Sequence, residues 1–159
     1  MWVILAVAMF RGVNPINLDA KGRMAIPTRY RERIAERCDG QMVATIDTET
    51  RCLLLYTLPE WEIIQARIEG LSSYNEATRR IQRLLIGHAT DLEMDGNGRV
   101  LLPAPLREHA ALDKKVVLLG QGKKFEIWDE ALWLQTRDVY LQEVKTGGAI
   151  PEELQGLSL

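Results

Sequence analysis

Two short segments of this 159-residue chain place an aspartate four residues before an arginine and a glycine directly before that arginine. They run from Asp19 to Arg23 and from Asp95 to Arg99. An aspartate opens a tight turn by accepting hydrogen bonds from the backbone N–H groups ahead of it. A guanidinium is planar and always charged, and it binds a phosphate or a guanine edge through two parallel hydrogen bonds. From the spacing alone, each pair is either an ion pair that closes a turn or a turn that presents an arginine to nucleic acid.

A glycine precedes each arginine and predicts the shape of the turn. Gly22 and Gly98 stand where a three-residue hairpin loop requires a positive φ, which glycine adopts without steric cost. We therefore expect two hairpin tips, in which Asp19, Gly22, Asp95 and Gly98 are structural residues. A two-stranded hairpin is narrow enough to enter the major groove of DNA.

Further polar side chains lie at or near the two predicted tips. Lys21 has no acidic neighbour beyond Gly22, which favours a phosphate contact. Asn97 holds the matching position in the second segment, and its amide can bond to an adenine edge. Arg11 lies before the first tip and is a further candidate. The candidate nucleic-acid-binding residues are therefore Arg11, Lys21, Arg23, Asn97 and Arg99.

The two segments belong to a longer internal repeat. Residues 16–31 and 92–107 align without a gap at an offset of 76, and five positions are identical. The identical residues of the first copy are Asp19, Gly22, Arg23, Pro27 and Arg31. Farther along the chain the offset falls to 72, and Trp61 there aligns with Trp133. The chain is therefore predicted to be a duplicated unit of roughly seventy residues.

The same elements are predicted in both copies. Pro27 and Pro103 end the strands that follow the tips, and proline suits the first turn of a helix. Residue patterns then predict helices at 27–36 and 103–110, strands at 41–45, 52–57, 115–120 and 123–128, and closing helices at 59–68 and 129–144. An amphipathic helix over 75–88 is expected between the copies, with its apolar residues at 77, 81, 84 and 85.

The domain organisation follows from the repeat. The first copy is assigned to residues 9–70 and the second to residues 92–144, with a linking helix in residues 71–91. Residues 1–8 are apolar but too few for a membrane span. They are interpreted as an N-terminal extension, with an extra edge strand as the alternative. Residues 145–159 are expected to form a flexible tail.

Composition excludes some function classes. The chain is 47% hydrophobic and 26% charged, which is typical of a globular protein. Its net charge of −2 excludes a histone-like protein that binds nucleic acid by bulk charge. Charge is nevertheless segregated, with a net +4 over residues 11–37 and −4 over residues 38–70. A local basic surface is therefore compatible with the nearly neutral total.

Residues for catalysis or metal binding are scarce. The chain has two cysteines without a CxxC pattern and two histidines. We therefore expect no catalytic site, no metal, no cofactor and no small-molecule substrate. His88 is expected to cap a helix end, and Cys38 and Cys52 to lie in the core or in turns. Without an export signal or a disulfide pattern, the chain is expected in the cytoplasm and away from membranes.

Two groups of arginines carry other expectations. Arg31 and Arg107 recur at matched helix positions and are expected to form repeated intramolecular salt bridges. Arg79, Arg80 and Arg83 lie on the predicted linking helix. Their charge fits either an oligomer contact or a DNA contact.

Five segments form a pattern that extends beyond the two turns. They are MFRG at 9–12, LDAKGR at 18–23, LLLYTLPEW at 53–61, RLLIGHA at 83–89 and DGNGR at 95–99. Together, from Met9 to about Tyr140, they resemble the MraZ family of bacterial transcriptional regulators. The resemblance implies an α+β fold, an internally duplicated swapped-hairpin barrel similar to AbrB-like proteins, with short flanking helices. It also implies a ring-shaped homo-oligomer that binds direct repeats in double-stranded promoter DNA.

This resemblance favours a DNA-reading role for Arg23 and Arg99. Asp19 and Asp95 remain scaffold residues, because a carboxylate repels phosphate. The first hypothesis is a nucleoid-associated repressor of the division and cell-wall gene cluster that binds its own promoter. The alternative is a protein-interaction module, antitoxin-like or a scaffold, whose arginines pair with acidic partners. The polar residues at the tips favour DNA.

Overall fold

The computed structural model describes residues 9–147 and 150–157. Residues 1–8, interpreted above as an extension, lie outside this range, as do four residues of the C-terminal segment. The chain divides into two compact units between Asp129 and Glu130, and the eight strands found in the described ranges all belong to the first unit. Within the described ranges, no helix is long and apolar enough to cross a bilayer.

The order of elements repeats itself along the chain. The first copy contains β1 (Phe10–Asn17), β2 (Arg23–Ala25), α1 (Thr28–Cys38), β3 (Gln41–Ile46), β4 (Leu53–Thr57) and α2 (Leu58–Glu69). After α3 (Glu76–Ile81), the second copy contains β5 (Thr90–Glu93), β6 (Arg99–Leu101), α4 (Ala104–His109), β7 (Lys115–Gly122) and β8 (Lys124–Asp129). The second unit contains α5 (Glu130–Lys145) and a 3-10 helix (Glu152–Leu154). The helices and later strands of both copies are confirmed, to within two residues at each end.

Prolines set where α1 and α4 begin. Pro27 (φ −53°) and Pro103 (φ −61°) are the last extended residues before these helices. α1 then buries Tyr30 and Ile34, which lie four residues apart on one face, while Arg33 stays in solvent. This amphipathic pattern packs α1 against the sheet.

The segment between the copies differs from the single amphipathic helix predicted over 75–88. α3 is capped by the Asn75 side chain, and beyond it the helix widens into a π-helical turn over Gln82–Ile86. A π-helical turn closes its hydrogen bonds over five residues instead of four, so it rotates the side chains that follow. Leu84 is consequently 38% exposed, whereas Leu85 packs against an apolar cluster of the sheet.

Six strands form one antiparallel sheet in the order β1-β7-β8-β4-β3-β5. β2 and β6 pair with each other as a separate two-stranded ribbon, here called the β2–β6 ribbon. Within the described residues, β1 and β5 are the edges of the sheet and do not pair with each other. The closed barrel that the family resemblance implies is therefore not seen in this part of the chain. The reason is that β2 and β6 leave the sheet after the turns instead of joining its edges.

Strand pairing also runs between the two copies. β1 of the first copy pairs with β7 of the second, and β5 of the second pairs with β3 of the first. At two places a residue pairs with its own repeat equivalent, Met24 with Val100 in the ribbon and Leu54 with Glu126 in the sheet. The two copies are therefore related by an approximate local twofold axis, and both pairs lie on it.

The sheet and the ribbon enclose one main apolar core. Met24 and Val100 of the ribbon are fully buried in it. Three aromatic rings also pack together there, those of Phe10, Tyr30 and Phe125. Fully burying a side chain such as Met or Val contributes roughly 1.5–3 kcal/mol. The two inward residues of the ribbon therefore fix which of its faces points to solvent.

Candidate nucleic-acid interface

The first turn is built around the carboxylate of Asp19. Its Oδ1 accepts hydrogen bonds from the backbone N–H groups of Lys21 and Arg23, both at 2.9 Å, and its Oδ2 accepts one from Arg23 Nε at 2.6 Å. A backbone hydrogen bond from Asp19 N–H to Arg23 O, at 3.0 Å, closes the base of the turn. Gly22 supplies the positive φ of 84°. One carboxylate therefore holds both the turn and the arginine side chain.

The second turn repeats this geometry. Asp95 Oδ1 accepts hydrogen bonds from the N–H groups of Asn97 and Arg99 at 2.8 and 2.9 Å, and Oδ2 accepts one from Arg99 Nε at 3.2 Å. Gly98 has a φ of 75°. The ion pair is longer than its counterpart in the first turn, 3.2 against 2.6 Å. The second arginine is therefore held less tightly than the first.

Each arginine forms an ion pair and still keeps donors free. The side chains of Arg23 and Arg99 are 31% and 32% exposed. Each contacts its aspartate through Nε, and among the described residues Nη1 and Nη2 have no hydrogen-bond partner. Two parallel N–H donors are what a bidentate contact to phosphate or guanine requires. The ion pair therefore orients the guanidinium without occupying its outer edge.

Hydrogen bonds keep both aspartates ionised. The backbone N–H of Arg23 is the main cause that lowers the pKa of Asp19 to about 2. The backbone N–H of Arg99 likewise lowers the pKa of Asp95. A hydrogen bond donated to a carboxylate stabilises its charged form. Both carboxylates are therefore charged at neutral pH.

The two turns do not continue as the hydrogen-bonded hairpins that the sequence predicts. β1, which leads into the first turn, pairs with β7, and β2, which follows that turn, pairs with β6. β5, which leads into the second turn, pairs with β3. The physical reason is the burial of Met24 and Val100, which holds β2 and β6 side by side over the core. Each turn therefore leads from the sheet into the ribbon.

This arrangement places both arginines on one face of the β2–β6 ribbon. Arg23 lies opposite Leu101, and Arg99 lies opposite Ala25. Because side chains alternate between the faces of a strand, all four lie on the face opposite to the buried core residues. The two arginines are diagonal neighbours, and such Cα atoms are about 7–8 Å apart.

The other predicted site residues are placed unequally. Lys21 and Asn97 are exposed in the turns that lead into the ribbon. Arg11 pairs with Gln121 near the start of β1, the end away from the turn. At 3.3 Å per residue it lies roughly 25 Å along the chain from Asp19. The structure therefore gathers four of the five candidates around the ribbon and leaves Arg11 apart.

Arg31 and Arg107 do not form the predicted salt bridges with any described residue. Nε of Arg31 donates to the carbonyl oxygen of Ile26 at 2.6 Å, and Nε of Arg107 donates to that of Leu102 at 2.9 Å. The Arg107 guanidinium then lies against a turn of the other copy. A Cβ atom at Gly22 would come within 2.7 Å of Arg107 Cζ. Backbone carbonyl oxygens thus accept the hydrogen bonds that carboxylates were expected to accept, and the rest of the Arg107 guanidinium packs against a turn glycine.

Each turn is held by the opposite copy. Ile26 N–H donates to Gly98 O at 2.8 Å, and Leu102 N–H donates to Gly22 O at 3.0 Å. The Arg31 guanidinium lies against Gly98 in the same crossed arrangement. Sequence reasoning missed this contact. The sequence shows only that these glycines and arginines recur at the same offset. It does not show that the glycine of one copy contacts the arginine of the other.

The three arginines of the linking segment make local contacts. Arg79 donates to the carbonyl oxygen of Ser73 at 2.7 Å, and Arg80 forms an ion pair with Glu76 at 2.9 Å. Arg83 is exposed. These contacts lie within the linking segment itself, so they do not extend the ribbon surface.

One group of possible metal ligands comes together in the described part of the chain, Asp47, Cys52 and Glu126. Asp47 Oδ1 accepts hydrogen bonds from two turn N–H groups, and Glu126 accepts one from Trp128 Nε1 at 3.0 Å. Burial raises the pKa of the Cys52 thiol well above its ordinary value. A protonated thiol is a poor metal ligand. These groups fit structural hydrogen bonding better than metal binding.

The family model described as "MraZ protein, putative antitoxin-like" matches this sequence twice, over residues 9–84 and over residues 85–145. The chain belongs to the MraZ family. The resemblance noted from the sequence is thereby confirmed. Each match contains one of the two Asp-x-x-Gly-Arg turns, so the family model matches each half of the chain separately.

Relatives in the MraZ family match nearly the whole chain. One from Alkalilimnicola ehrlichii is 57% identical over 151 residues, which cover 95% of this chain and 100% of the relative. One from Coxiella burnetii is 57% identical over 152 residues, with the same coverage. One from Pseudomonas aeruginosa is 54% identical over 151 residues, again with 95% and 100% covered. Each of these proteins is named Transcriptional regulator MraZ.

Proposed function

We propose that this chain is a sequence-specific DNA-binding transcriptional regulator. The observation that carries the proposal is the placement of Arg23 and Arg99 on one exposed face of the β2–β6 ribbon, with their outer guanidinium edges unpartnered among the described residues. A two-stranded ribbon fits the major groove, where arginine is the commonest specific partner of guanine. The printed name of the relatives supports the same function.

The ribbon and its turns supply contacts of different kinds. Arg23 and Arg99 bind guanine edges or phosphates through Nη1 and Nη2. Lys21 binds a phosphate in the first turn, and Asn97 bonds to an adenine edge in the second. The two aspartates orient the arginines and hold the turns. Arg11, which lies away from the ribbon, is assigned a phosphate contact outside the groove.

The functional form is a ring-shaped homo-oligomer of swapped-hairpin subunits. The reciprocal pairing of β1 with β7 and of β5 with β3 supports an exchange of strands between the two copies. One protomer offers few cations and has a net charge of −2, so a single ribbon binds weakly and in a salt-sensitive way. Neighbouring protomers of a ring present their ribbons in the same orientation, which suits direct repeats.

The proposed target is the chain's own promoter at the head of the division and cell-wall gene cluster, where it acts as a cytoplasmic, nucleoid-associated repressor.

A second candidate function is protein interaction, which the words "antitoxin-like" in the family description favour. In that case the arginines of the ribbon pair with acidic groups of a partner. Lys21 and Asn97 favour DNA instead, because an amide and an ammonium beside two guanidinium groups suit base edges and phosphates.

A gel-shift titration tests the proposal. The probe is the DNA upstream of the chain's own gene, and a scrambled probe of equal length and composition is the control. Specific complexes are typically at least about 10³-fold tighter than non-specific ones, so the upstream probe is expected to shift at far lower protein concentration. Equal affinity for both probes, or no shift with either, would refute the DNA-binding function.

A further inference from the structure

The two turns are equivalent in backbone but stand beside unlike cavities. The cavity next to the first turn has a volume of about 510 Å³, and its lining includes Asp19, Gly22, Arg107, Asp113 and Lys114. The cavity next to the second turn has a volume of about 390 Å³, and its lining includes Arg31, Glu32, Asp39, Asp95 and Gly98. Both are open concavities on the side of the turn that faces the helix arginine of the other copy.

The first cavity contains a guanidinium with free donors. Nε of Arg107 is fixed by its hydrogen bond to Leu102 O, and the side chain lies against Gly22. Among the described residues, Nη1 and Nη2 of Arg107 have no hydrogen-bond partner. Arg107 is also half-buried, so its planar group has little freedom to turn away. Two fixed, parallel donors beside a DNA-reading turn suit a tetrahedral oxyanion.

A lysine adds a second cation to this cavity but has no equivalent in the other. The carbonyl oxygen of Lys114 accepts a hydrogen bond from Leu18 N–H at 2.7 Å, just before the first turn. The matching bond before the second turn runs from Met94 N–H to Gly40 O, at 2.9 Å. The same backbone position therefore carries an ammonium beside the first turn and no side chain beside the second.

The carboxylates increase this difference. Asp19 and Asp95 are each neutralised by the arginine of their own turn. The first cavity then has one further carboxylate, that of Asp113, against two cations. The second cavity has two further carboxylates, those of Glu32 and Asp39, against one cation. The first cavity is therefore net positive and the second net negative.

We propose that Arg107 and Lys114 form a binding site for a backbone phosphate of the DNA beside the first turn, and that the second turn lacks such a site. The inference rests on the proposed function and adds a second contact to the same interface. Arg107 supplies bidentate hydrogen bonds and Lys114 a point charge. The first turn then contacts both the groove and a backbone phosphate, whereas the second turn contacts the groove alone.

A salt titration of DNA binding tests this site. Arg107→Gln and Lys114→Gln are compared with the matched control Arg31→Gln on full-length protein and the upstream probe. Arg107→Gln and Arg31→Gln lose the same packing against a turn glycine and the same hydrogen bond to a carbonyl, so their difference isolates the phosphate contact. For each ribbon engaged, the slope of log K against log salt is expected to fall by about 1 in the double variant Arg107→Gln/Lys114→Gln and by a smaller amount in each single variant, because both cations face one phosphate. Arg31→Gln is expected to keep the parent slope, even where its affinity falls.

DNA probes with uncharged phosphate analogues identify which backbone phosphate the site binds. Probes in which one phosphate at a time is replaced by an uncharged methylphosphonate are expected to weaken the parent at one position per repeat. Arg107→Gln is expected to be insensitive at that position and as sensitive as the parent at the others. Lys114 is exposed, so Lys114→Gln keeps the test decisive if Arg107→Gln does not fold.

The outcomes separate this site from the function on which it rests. A parent protein that does not prefer the upstream probe would overturn the proposed function and this site together. A parent that binds specifically, with equal slopes for the Arg107 and Arg31 variants, would overturn the phosphate site alone. A shallower slope without any position-specific loss of methylphosphonate sensitivity would mean that the cavity takes a free anion, and it too would refute the proposal.

Discussion

Arg23 and Arg99 lie diagonally across the exposed face of the β2–β6 ribbon. Arg23 lies opposite Leu101, which is two positions after Arg99, and Arg99 lies opposite Ala25, which is two positions after Arg23. Their Cα atoms are about 7–8 Å apart, close to two base-pair steps of DNA at about 3.4 Å each. The two arginines are therefore positioned to act within one short stretch of a groove rather than at two distant sites.

Replacing Arg23 by Ala is expected to weaken specific DNA binding by about 1–3 kcal/mol for each engaged protomer, because one bidentate contact is lost. Arg99→Ala is expected to cost less, since its ion pair is longer, 3.2 against 2.6 Å. Arg137→Ala is the control, because Arg137 also forms an exposed ion pair, with Asp138 at 3.0 Å, but lies on α5. Fluorescence anisotropy with the upstream probe measures all three. Parent-like affinity in a well-folded Arg23→Ala protein would show that the assignment is wrong.

Asp19→Asn is expected to lower stability slightly and to weaken DNA binding less than Arg23→Ala does, because the amide oxygen still accepts the turn hydrogen bonds but the ion pair is lost. The pKa of Asp19 is lowered to about 2 in the folded protein. A carboxyl group whose pKa is lowered in the folded state stabilises the fold at pH values above its ordinary pKa of about 3.9. This contribution disappears as the pH falls towards about 2. The melting temperature of the variant is therefore expected to lie below that of the parent at neutral pH and to converge with it between about pH 4 and pH 2.

Thermal melts of both proteins across this pH range check the prediction. Asp138→Asn is a useful control, because Asp138 also contacts an arginine, Arg137 at 3.0 Å, but lies within α5 rather than in a turn. Its difference from the parent is not expected to follow the same pH range. If Asp19→Asn melted like the parent at every pH and yet no longer bound DNA, the carboxylate would itself be a DNA-binding group.

Gly22→Ala is expected to destabilise the protein by about 1–2 kcal/mol, because Gly22 has a φ of 84° and a side chain rarely adopts that conformation. Its Cβ would also come within 2.7 Å of Arg107. Gly96→Ala in the second turn is the matched control, since no described residue other than its chain neighbours has an atom within 4 Å of its Cβ position, and Ala20 occupies the equivalent place in the first turn. The control is expected to stay within about 0.5 kcal/mol of the parent. Urea unfolding measures both, and equal stabilities would contradict the turn geometry.

DNA with several direct repeats is expected to bind much more tightly than DNA with one. Once one ribbon of a ring is bound, the next binds at a raised effective concentration. Repeats about one helical turn apart, roughly 10 base pairs, present the same groove face to each ribbon. Affinity is therefore expected to rise steeply from one repeat to three and to fall when about five base pairs are inserted. Equal affinity for all these probes would exclude the multivalent arrangement, even for a protein that binds DNA.

Local structure was predictable from the sequence because local residue types determine it. Asp19 and Gly22 at this spacing are typical of a tight turn, which the structure has, and α1 begins one residue after Pro27. The offset of 76 also correctly predicted that a second turn of the same geometry exists at Asp95–Gly98. These features depend on hydrogen bonds within a few residues of each other.

The contacts between the copies could not be predicted in the same way. Arg107 was expected to meet a carboxylate, but it packs against Gly22, 85 positions earlier in the chain. A repeat shows that two segments are alike but not whether each folds on itself or on its partner. The π-helical turn was missed for a different reason. Its extra residue shifts the apolar face at Leu84, and a regular helical period contains no sign of that shift.

The pairing of Leu54 with Glu126 has a consequence for how such a protein could be assembled from two chains instead of one. On a twofold axis between identical half-chains, this position would face its own copy, giving either two leucines or two carboxylates side by side. Two buried carboxylates at that distance repel each other unless one takes up a proton. In the fused chain the two sides are free to differ, so Glu126 is 9% exposed beside an apolar neighbour and accepts a hydrogen bond from Trp128 Nε1. Covalent linkage thus permits one carboxylate at this position without a second, identical carboxylate facing it across the axis.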